Sequence, residues 1–259
     1  MVKIIDAFIF YNELKMLKFR LTELYDVVDY FIIVESTSTF IGKEKELYYE
    51  KNKDDFSKFK DKIIHIIVND MPNDKNAWNN EYHQRRCIDR GINKLNLNNN
   101  DIIIITDCDE IPNPKILNYI KNNDINFDLC KLQMELYYYN LECQSKDNWY
   151  YGTIIKYQKY KEIKDPQNIR FILNKDIIVL KDGGWHFSYF GDINFIKNKI
   201  KNFSHQEYNN DKYLNDEKIK EQIEKCDDIF FRNNKEVHNL HKKNIEENNN
   251  LPKHYKLLI

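Results

Sequence analysis

Asp101-Ile102-Ile103-Ile104-Ile105-Thr106-Asp107-Cys108-Asp109-Glu110-Ile111-Pro112 is the stretch that decides the fold. Four consecutive isoleucines leave no wet face, so they predict a strand buried on both sides, as in the parallel sheets of α/β proteins. Carboxylates follow at once at Asp107, Asp109 and Glu110, and Pro112 and Pro114 end the strand before a helical pattern. In an open α/β sheet, ligands bind just beyond the carboxyl ends of the strands. Two carboxylates one residue apart at that place can reach one hard divalent cation such as Mg²⁺ or Mn²⁺, which takes oxygen ligands and bridges to substrate phosphates. The stretch points to a metal that holds a diphosphate; the plainer reading is a solvated acidic turn after a core strand.

Upstream, Val2 to Phe10 predicts a first strand, and Leu14, Leu17, Leu21 and Leu24 form the apolar stripe of a helix. Tyr30 to Val34 predicts a second buried strand, closed by Glu35-Ser36-Thr37. Strand, helix, strand in that order is the signature of a parallel βαβ unit. Ile63 to Val68 predicts a third strand and residues 76–96 a helix, with Ile88, Ile92 and Leu95 on one face. Downstream come a short helix from Pro114 to about Asn123, a strand over Asp128 to Asn140 and another over Trp149 to Tyr160. A loop over Pro166 to Arg170, a short strand over Ile177 to Leu180 and a turn at Lys181-Asp182-Gly183-Gly184 follow. Helical patterns return over Asp192 to Asn202 and Leu214 to Cys226, and from Lys235 the tail is polar and aperiodic. The expected organisation is one α/β domain over residues 1–232, with a polar extension, 233–259, packed on it or trailing from it.

A chain of 259 residues with 42% hydrophobic side chains can bury a sizeable core. Its 41 acidic and 40 basic residues leave a net charge of −1, which argues against a nucleic-acid protein that relies on an overall basic face. The cysteines, Cys87, Cys108, Cys130, Cys143 and Cys226, are odd in number and lack metal-like spacing, which predicts free thiols in a reducing compartment. Met1 to Phe10 is too short for a signal sequence with a cleavage site, and no run of about 18 apolar residues exists. A cytoplasmic protein without a membrane span is therefore expected.

Two further motifs carry chemistry. In Gly183-Gly184-Trp185-His186-Phe187-Ser188, the diglycine lets backbone pass close to a ligand. Trp185 suits stacking on a sugar face, and His186 suits a metal or phosphate. The plainer alternative is a tight hairpin with a core Trp and a satisfied His. In Phe203-Ser204-His205-Gln206-Glu207, Glu207 suits a general base and His205 a metal ligand. The alternative there is a helix end where a cationic His meets the dipole. Glu35 closes the second strand where a ligand contact is expected. Arg85 and Arg86 precede the acidic strand, where a guanidinium can clamp a diphosphate. A strand-end carboxylate in water and a solvated helix face are their plainer readings. No phosphate-binding Gly-x-x-x-x-Gly-Lys, Gly-x-Ser-x-Gly or His-Glu-x-x-His occurs.

Taken in order from about residue 4 to about residue 232, five motifs resemble glycosyltransferase family 17: Asp6-Ala7-Phe8 with Asn12-Glu13-Leu14; Asp26-Val27-Val28-Asp29; Val34-Glu35-Ser36; Asp107-Cys108-Asp109-Glu110-Ile111-Pro112; and Gly184-Trp185-His186-Phe187-Ser188. That family includes the β-1,4-mannosyl-glycoprotein N-acetylglucosaminyltransferases. The resemblance implies a GT-A-like fold, a Rossmann-like nucleotide-binding mixed sheet flanked by helices. It also implies inversion at the anomeric carbon, a UDP-sugar donor such as UDP-GlcNAc, a glycan or glycoconjugate acceptor, and Mn²⁺ or Mg²⁺. By the same resemblance Asp107 and Asp109 bind the metal, Glu110 orients them, and Asn12 and Glu35 lie near the nucleoside. Either His186 or His205 is the later His that such folds add to the metal or diphosphate. Glu207, with Asp192 second, is the expected base, because both follow the Gly-Trp-His segment. Animal members carry an N-terminal anchor and stalk, whereas this sequence opens on the first strand, which favours a soluble enzyme. A sugar-phosphate nucleotidyltransferase and a catalytically silent sugar-binding module are the competing readings.

Overall fold

In the computed structural model, residues 2–72, 74–123, 125–232 and 238–259 are described. The strands β1 (Ile4–Phe10), β2 (Tyr30–Ser36), β3 (Ile63–Val68) and β4 (Ile102–Asp107) run parallel in the order β4-β1-β2-β3. The isoleucines of β4 explain themselves here. Ile102 and Ile104 join the core that packs Leu17 and Leu21 of α1 (Leu14–Leu24). Ile103 and Ile105 face the other way, against Ile88 and Ile92. Both faces are covered by helices, so alternation has no function and every position is apolar. Each such side chain contributes roughly 1.5–3 kcal/mol by leaving water.

The predicted helix over residues 76–96 is two, α3 (Ala77–Arg86) and α4 (Ile88–Ile92), broken at Cys87; a short helix, α2 (Tyr48–Lys51), precedes them. Beyond β4 come β5 (Glu110–Pro112) and α5 (Pro114–Asn122), then β6 (Leu129–Tyr138), β7 (Cys143–Trp149) and β8 (Thr153–Lys156). β8 lies antiparallel between β4 and β6, which makes the sheet mixed. Among the described residues it counts ten strands.

Four expectations are corrected. The strand predicted over Trp149 to Tyr160 is present as β8 but gives way at Tyr157 to a helix, α6 (Tyr157–Ile163), and the loop predicted over Pro166 to Arg170 is a helix, α7 (Pro166–Phe171). α7 starts with Pro166 in its first turn and Asp165 as cap, accepting from Asn168 N at 3.1 Å. The turn at residues 181–184 is instead a bulge inside one strand, β9 (Ile178–Ser188): from Leu132↔Leu180 to Met134↔Gly184, β6 advances two residues and β9 four. Gly184 has φ +147°, and a Cβ there would strike the carbonyl oxygen of Ile111 on β5. The diglycine thus serves a close approach between strands. Finally, Cys143 and Cys226 form a disulfide across 83 residues, tying β7 to the end of α9 (Asp216–Lys225), while Cys87, Cys108 and Cys130 are free and buried. The cysteines therefore no longer argue for a reducing compartment. Among the described residues no helix is long and apolar enough to cross a membrane.

The boundary expected at residue 232 adjoins residues 233–237, which lie outside the described residues. Past them, β10 (Leu240–Lys242) pairs with β7, and Leu251, Tyr255 and Leu258 pack against the larger core. Glu23 of α1 accepts the N–H groups of Lys253 at 3.0 Å and His254 at 2.9 Å. His238 opens this segment, its ring 5.0 Å from that of Tyr138 and its Nε2 3.2 Å from Arg232. Burial and the Arg232 charge hold its pKa down from 6.5 to about 4. A histidine depressed in the folded state contributes stability that is whole above its unfolded pKa and drains as pH falls toward the folded one. Thermal stability is expected to fall from pH 6.5 down to about 4, and His238→Gln to flatten the slope in that window. Parallel slopes for the two proteins would refute this assignment.

Candidate active site

A cavity of about 480 Å³ opens at the carboxyl ends of β1 and β4. Asp107 and Asp109 both line it, together with Arg85, Arg170, His186 and Lys199. The Asp107 carboxylate accepts from Arg85 at 2.9 Å and from Arg170 at 2.8 Å. Asp109 accepts from Lys199 of α8 (Ile193–Asn202) at 2.9 Å and stands 3.6 Å from His186 Nε2. Burial pushes the Asp109 carboxyl up, but Lys199 and His186 outweigh it and hold it well below the usual carboxylate range. For Asp107 burial is likewise overcome, by Arg170 and Arg85, and the net direction is down. Lys199 is raised: burial lowers it, and Asp109 and Glu13 more than compensate.

Two residues that sequence reasoning missed hold this acidic loop, Arg20 through its backbone and Arg170 through its carboxylates. Arg20, fully buried on α1, forks onto both oxygens of Asp6 at 2.8 and 2.6 Å. It also donates to the carbonyls of Asp107 at 2.8 Å, Cys108 at 3.2 Å and Glu110 at 2.8 Å. Its position was a legible signal: Leu17, Arg20, Leu21 and Leu24 share one face of the helix, so a charge stood in the core stripe. Arg170, on the stretch taken for a loop, holds Glu110 at 2.7 and 2.6 Å as well as Asp107. Glu110, fully buried, also accepts from the Trp149 indole and from Asp107 N at 2.9 Å. Lys199, Glu81 and the aromatic wall of Trp149, Tyr151 and Phe171 lacked any sequence signal.

The other expected residues divide. His205 lines the cavity, and its Nδ1 lies 2.7 Å from Glu207, which stands outside the lining. Arg85 lines it, whereas Arg86 pairs with Asp165 at 3.0 Å on the surface. Glu35 is wholly buried, accepting from Tyr49 N at 3.0 Å with His65 at 3.0 Å and Lys45 at 3.9 Å. It thus stands behind Lys45, which lines a smaller adjoining cavity of about 80 Å³ with Phe10, Tyr11 and Phe40. Asn12 reaches Asn198 at 3.4 Å and lines neither cavity. Trp185 lies on another side, giving its indole N–H to the Asn250 carbonyl at 2.6 Å. Asp192 caps α8 through Phe195 N at 2.8 Å.

The oxygen donors are of the type a hard ion takes, but Asp107, Asp109 and His186 do not stand as close together as the ligands of a formed site, and Arg85, Arg170 and Lys199 hold the two carboxylates. Asp107 and Asp109 offer oxygen at a place open to solvent, the Asp107 side chain being 30% exposed, and Mg²⁺-like ions are held by one or two carboxylates and completed by water and substrate phosphates. His186 adds a nitrogen beside Asp109, and its Nδ1 is buried without a hydrogen-bond partner.

The rat and human β-1,4-mannosyl-glycoprotein 4-β-N-acetylglucosaminyltransferases are each 29% identical over 116 residues, a match spanning 42% of this chain and 22% of each relative. The chain thus matches only about a fifth of their length. Among solved structures, S. aureus TarS 1–349 is similar at a TM-score of 0.45 and 12% identity, over 78% of this chain and 66% of that one. A mannosyltransferase, PcManGT from Pyrobaculum calidifontis in complex with GDP-Man and Mn²⁺, is similar at 0.46 and 10% identity, over 72% of this chain and 56% of its own. The profile described as Glycosyltransferase family 17 matches residues 1–255, and the chain belongs to that family.

Proposed function

We propose that the protein is an inverting, metal-dependent glycosyltransferase that moves a sugar, GlcNAc, from a UDP-sugar to a hydroxyl of a glycan or glycoconjugate. The observation that carries this reading is the pair Asp107 and Asp109 at the end of β4, facing one cavity ringed by Arg85, Arg170 and Lys199. Asp107 and Asp109, with His186 beside them, would hold Mn²⁺ or Mg²⁺. An ion held there would supply neutralising charge for the departing diphosphate. Phe10, Tyr11 and Phe40 in the adjoining cavity offer the uracil apolar faces. Arg170 and Lys199 add fixed positive charge where the leaving group becomes negative.

The acceptor oxygen bonds to the anomeric carbon as the bond from that carbon to the diphosphate breaks, so one displacement inverts the centre. The proton needs an acceptor facing the cavity. A carboxylate only accepts hydrogen bonds, so Glu207 at 2.7 Å from His205 Nδ1 places the ring hydrogen there and leaves Nε2 free to take the proton. Burial pushes the Glu207 carboxyl up, but the hydrogen bond from His205 leads the effects that leave it below its ordinary value, so it stays ionised behind the ring. His205→Gln and Glu207→Gln are each expected to slow transfer by about 10²-fold with donor binding intact. Wild-type turnover by both would remove the pair from the mechanism.

The competing nucleotidyltransferase reading needs a loop after β1 whose backbone N–H groups cradle phosphate. Here Glu13 already accepts the N–H groups of Tyr11 at 3.1 Å and Asn12 at 3.0 Å. The direct test is incubation with UDP-GlcNAc and Mn²⁺, scoring UDP release and the anomer formed on a mannose-containing acceptor. Binding of a UDP-sugar with neither transfer nor hydrolysis would favour a silent binding module.

A further inference from the structure

A second cluster lies away from the acidic motif. Asp70 follows β3, His83 sits on α3 and Cys87 marks the break between α3 and α4. One ligand atom from each lies within 4.8 Å of the others. His83 Nε2 is buried and makes no hydrogen bond. It lies 3.6 Å from Asp70 Oδ1, too long for a hydrogen bond. That gap is near the edge of a tetrahedron around zinc, where N and O ligands at about 2.0–2.2 Å from the metal stand roughly 3.3–3.5 Å apart. Cys87 is buried and free of any disulfide.

We propose that Asp70, His83 and Cys87 form a second metal site, selective for Zn²⁺, with water as fourth ligand. A thiolate and an imidazole favour zinc over the hard ions suited to Asp107 and Asp109. The side chains of Asp70 and His83 are 52% and 29% exposed, so the mouth is open to an incoming ion and its water. On coordination the Cys87 thiol gives its proton to solvent. Arg90 donates to the two Asp70 oxygens at 2.8 and 2.6 Å, the kind of outer contact that fixes a ligating carboxylate. His83 and Cys87 bracket Arg85, whose guanidinium reaches Asp107 at 2.9 Å. The ion would therefore brace the helix that carries part of the active site.

Co²⁺ is the probe, added to the metal-free full chain and followed by absorbance. One equivalent is expected to give a thiolate-to-cobalt charge-transfer band with tetrahedral visible bands, displaced by Zn²⁺. Asp109→Asn should keep both. Cys87→Ser should lose the charge-transfer band, and His83→Gln should weaken Co²⁺ at least about tenfold, with circular dichroism checking each fold. No thiolate band in the parent, or a band that survives Cys87→Ser and so belongs to Cys108 or Cys130, overturns the site.

Discussion

Asp109→Asn is expected to fold normally and to transfer sugar about 10²–10³-fold more slowly, an effect of the size seen when one preorganised group opposite developing charge is lost. The variant keeps the volume and removes only the charge. Lys199, its partner at 2.9 Å, is 22% exposed, so water offsets part, not all, of the stability that their attraction supplies. Asp107→Asn should lose as much activity and also cost some stability, because Asp107 is shared by two buried guanidiniums. That cost is limited: Arg85 keeps Glu81 at 2.8 Å and Arg170 keeps Glu110 at 2.6 Å. Calorimetry of UDP with Mn²⁺ separates binding from chemistry. If Asp107→Asn combined with Asp109→Asn binds UDP and Mn²⁺ as the parent does, or transfers at the parental rate, the diphosphate site is elsewhere.

Arg20→Met is expected to cost about 3–5 kcal/mol, because it strands the Asp6 carboxylate, which has no exposure at all. For a chain of this length that is a fall in Tm of roughly 6–9 °C. The loss reaches the active site as well, since the carbonyls of Asp107 and Glu110 lose their donor. Arg20→Met with Asp6→Leu should recover part of the stability, as apolar replacements of buried pairs do, without recovering activity. Arg20→Lys should keep the charge but not the five-donor fork, and so lose activity more than stability. A single variant with parental Tm and turnover would show that the acidic loop stands without this support.

The parts of the fold that were legible share one property: their pattern is long enough to have a period. Ile102 to Ile105, Ile63 to Val68 and the leucines of α1 announce their environment directly. α6 and α7 span only seven and six residues, under two turns, so α6 merged into the strand pattern before it and α7, despite its Asp165-Pro166 start signal, read as a loop. Gly183 and Gly184 were read by turn chemistry, when what required them was a neighbouring strand that local sequence does not contain. The disulfide joins residues 83 apart within an odd set of cysteines, which no spacing rule resolves. At the site, the acidic motif and Arg85 were visible because they are local or adjoin it. Arg170 and Lys199 come from elements 60 and 90 residues away from their partners, and only tertiary packing brings them in.

The interleaving of the strands has a consequence for birth on the ribosome. β9 must settle beside β6 and β5, laid down some fifty to seventy residues earlier, and β7 waits for β10 near the chain's end. The first half can collapse as a parallel unit while translation continues, but the open flank of β6 stays sticky until β9 leaves the exit tunnel. A pause in elongation after β8 would lengthen that exposure, so yield in a cell should depend on codon speed between residues 157 and 190 more than anywhere else in the message.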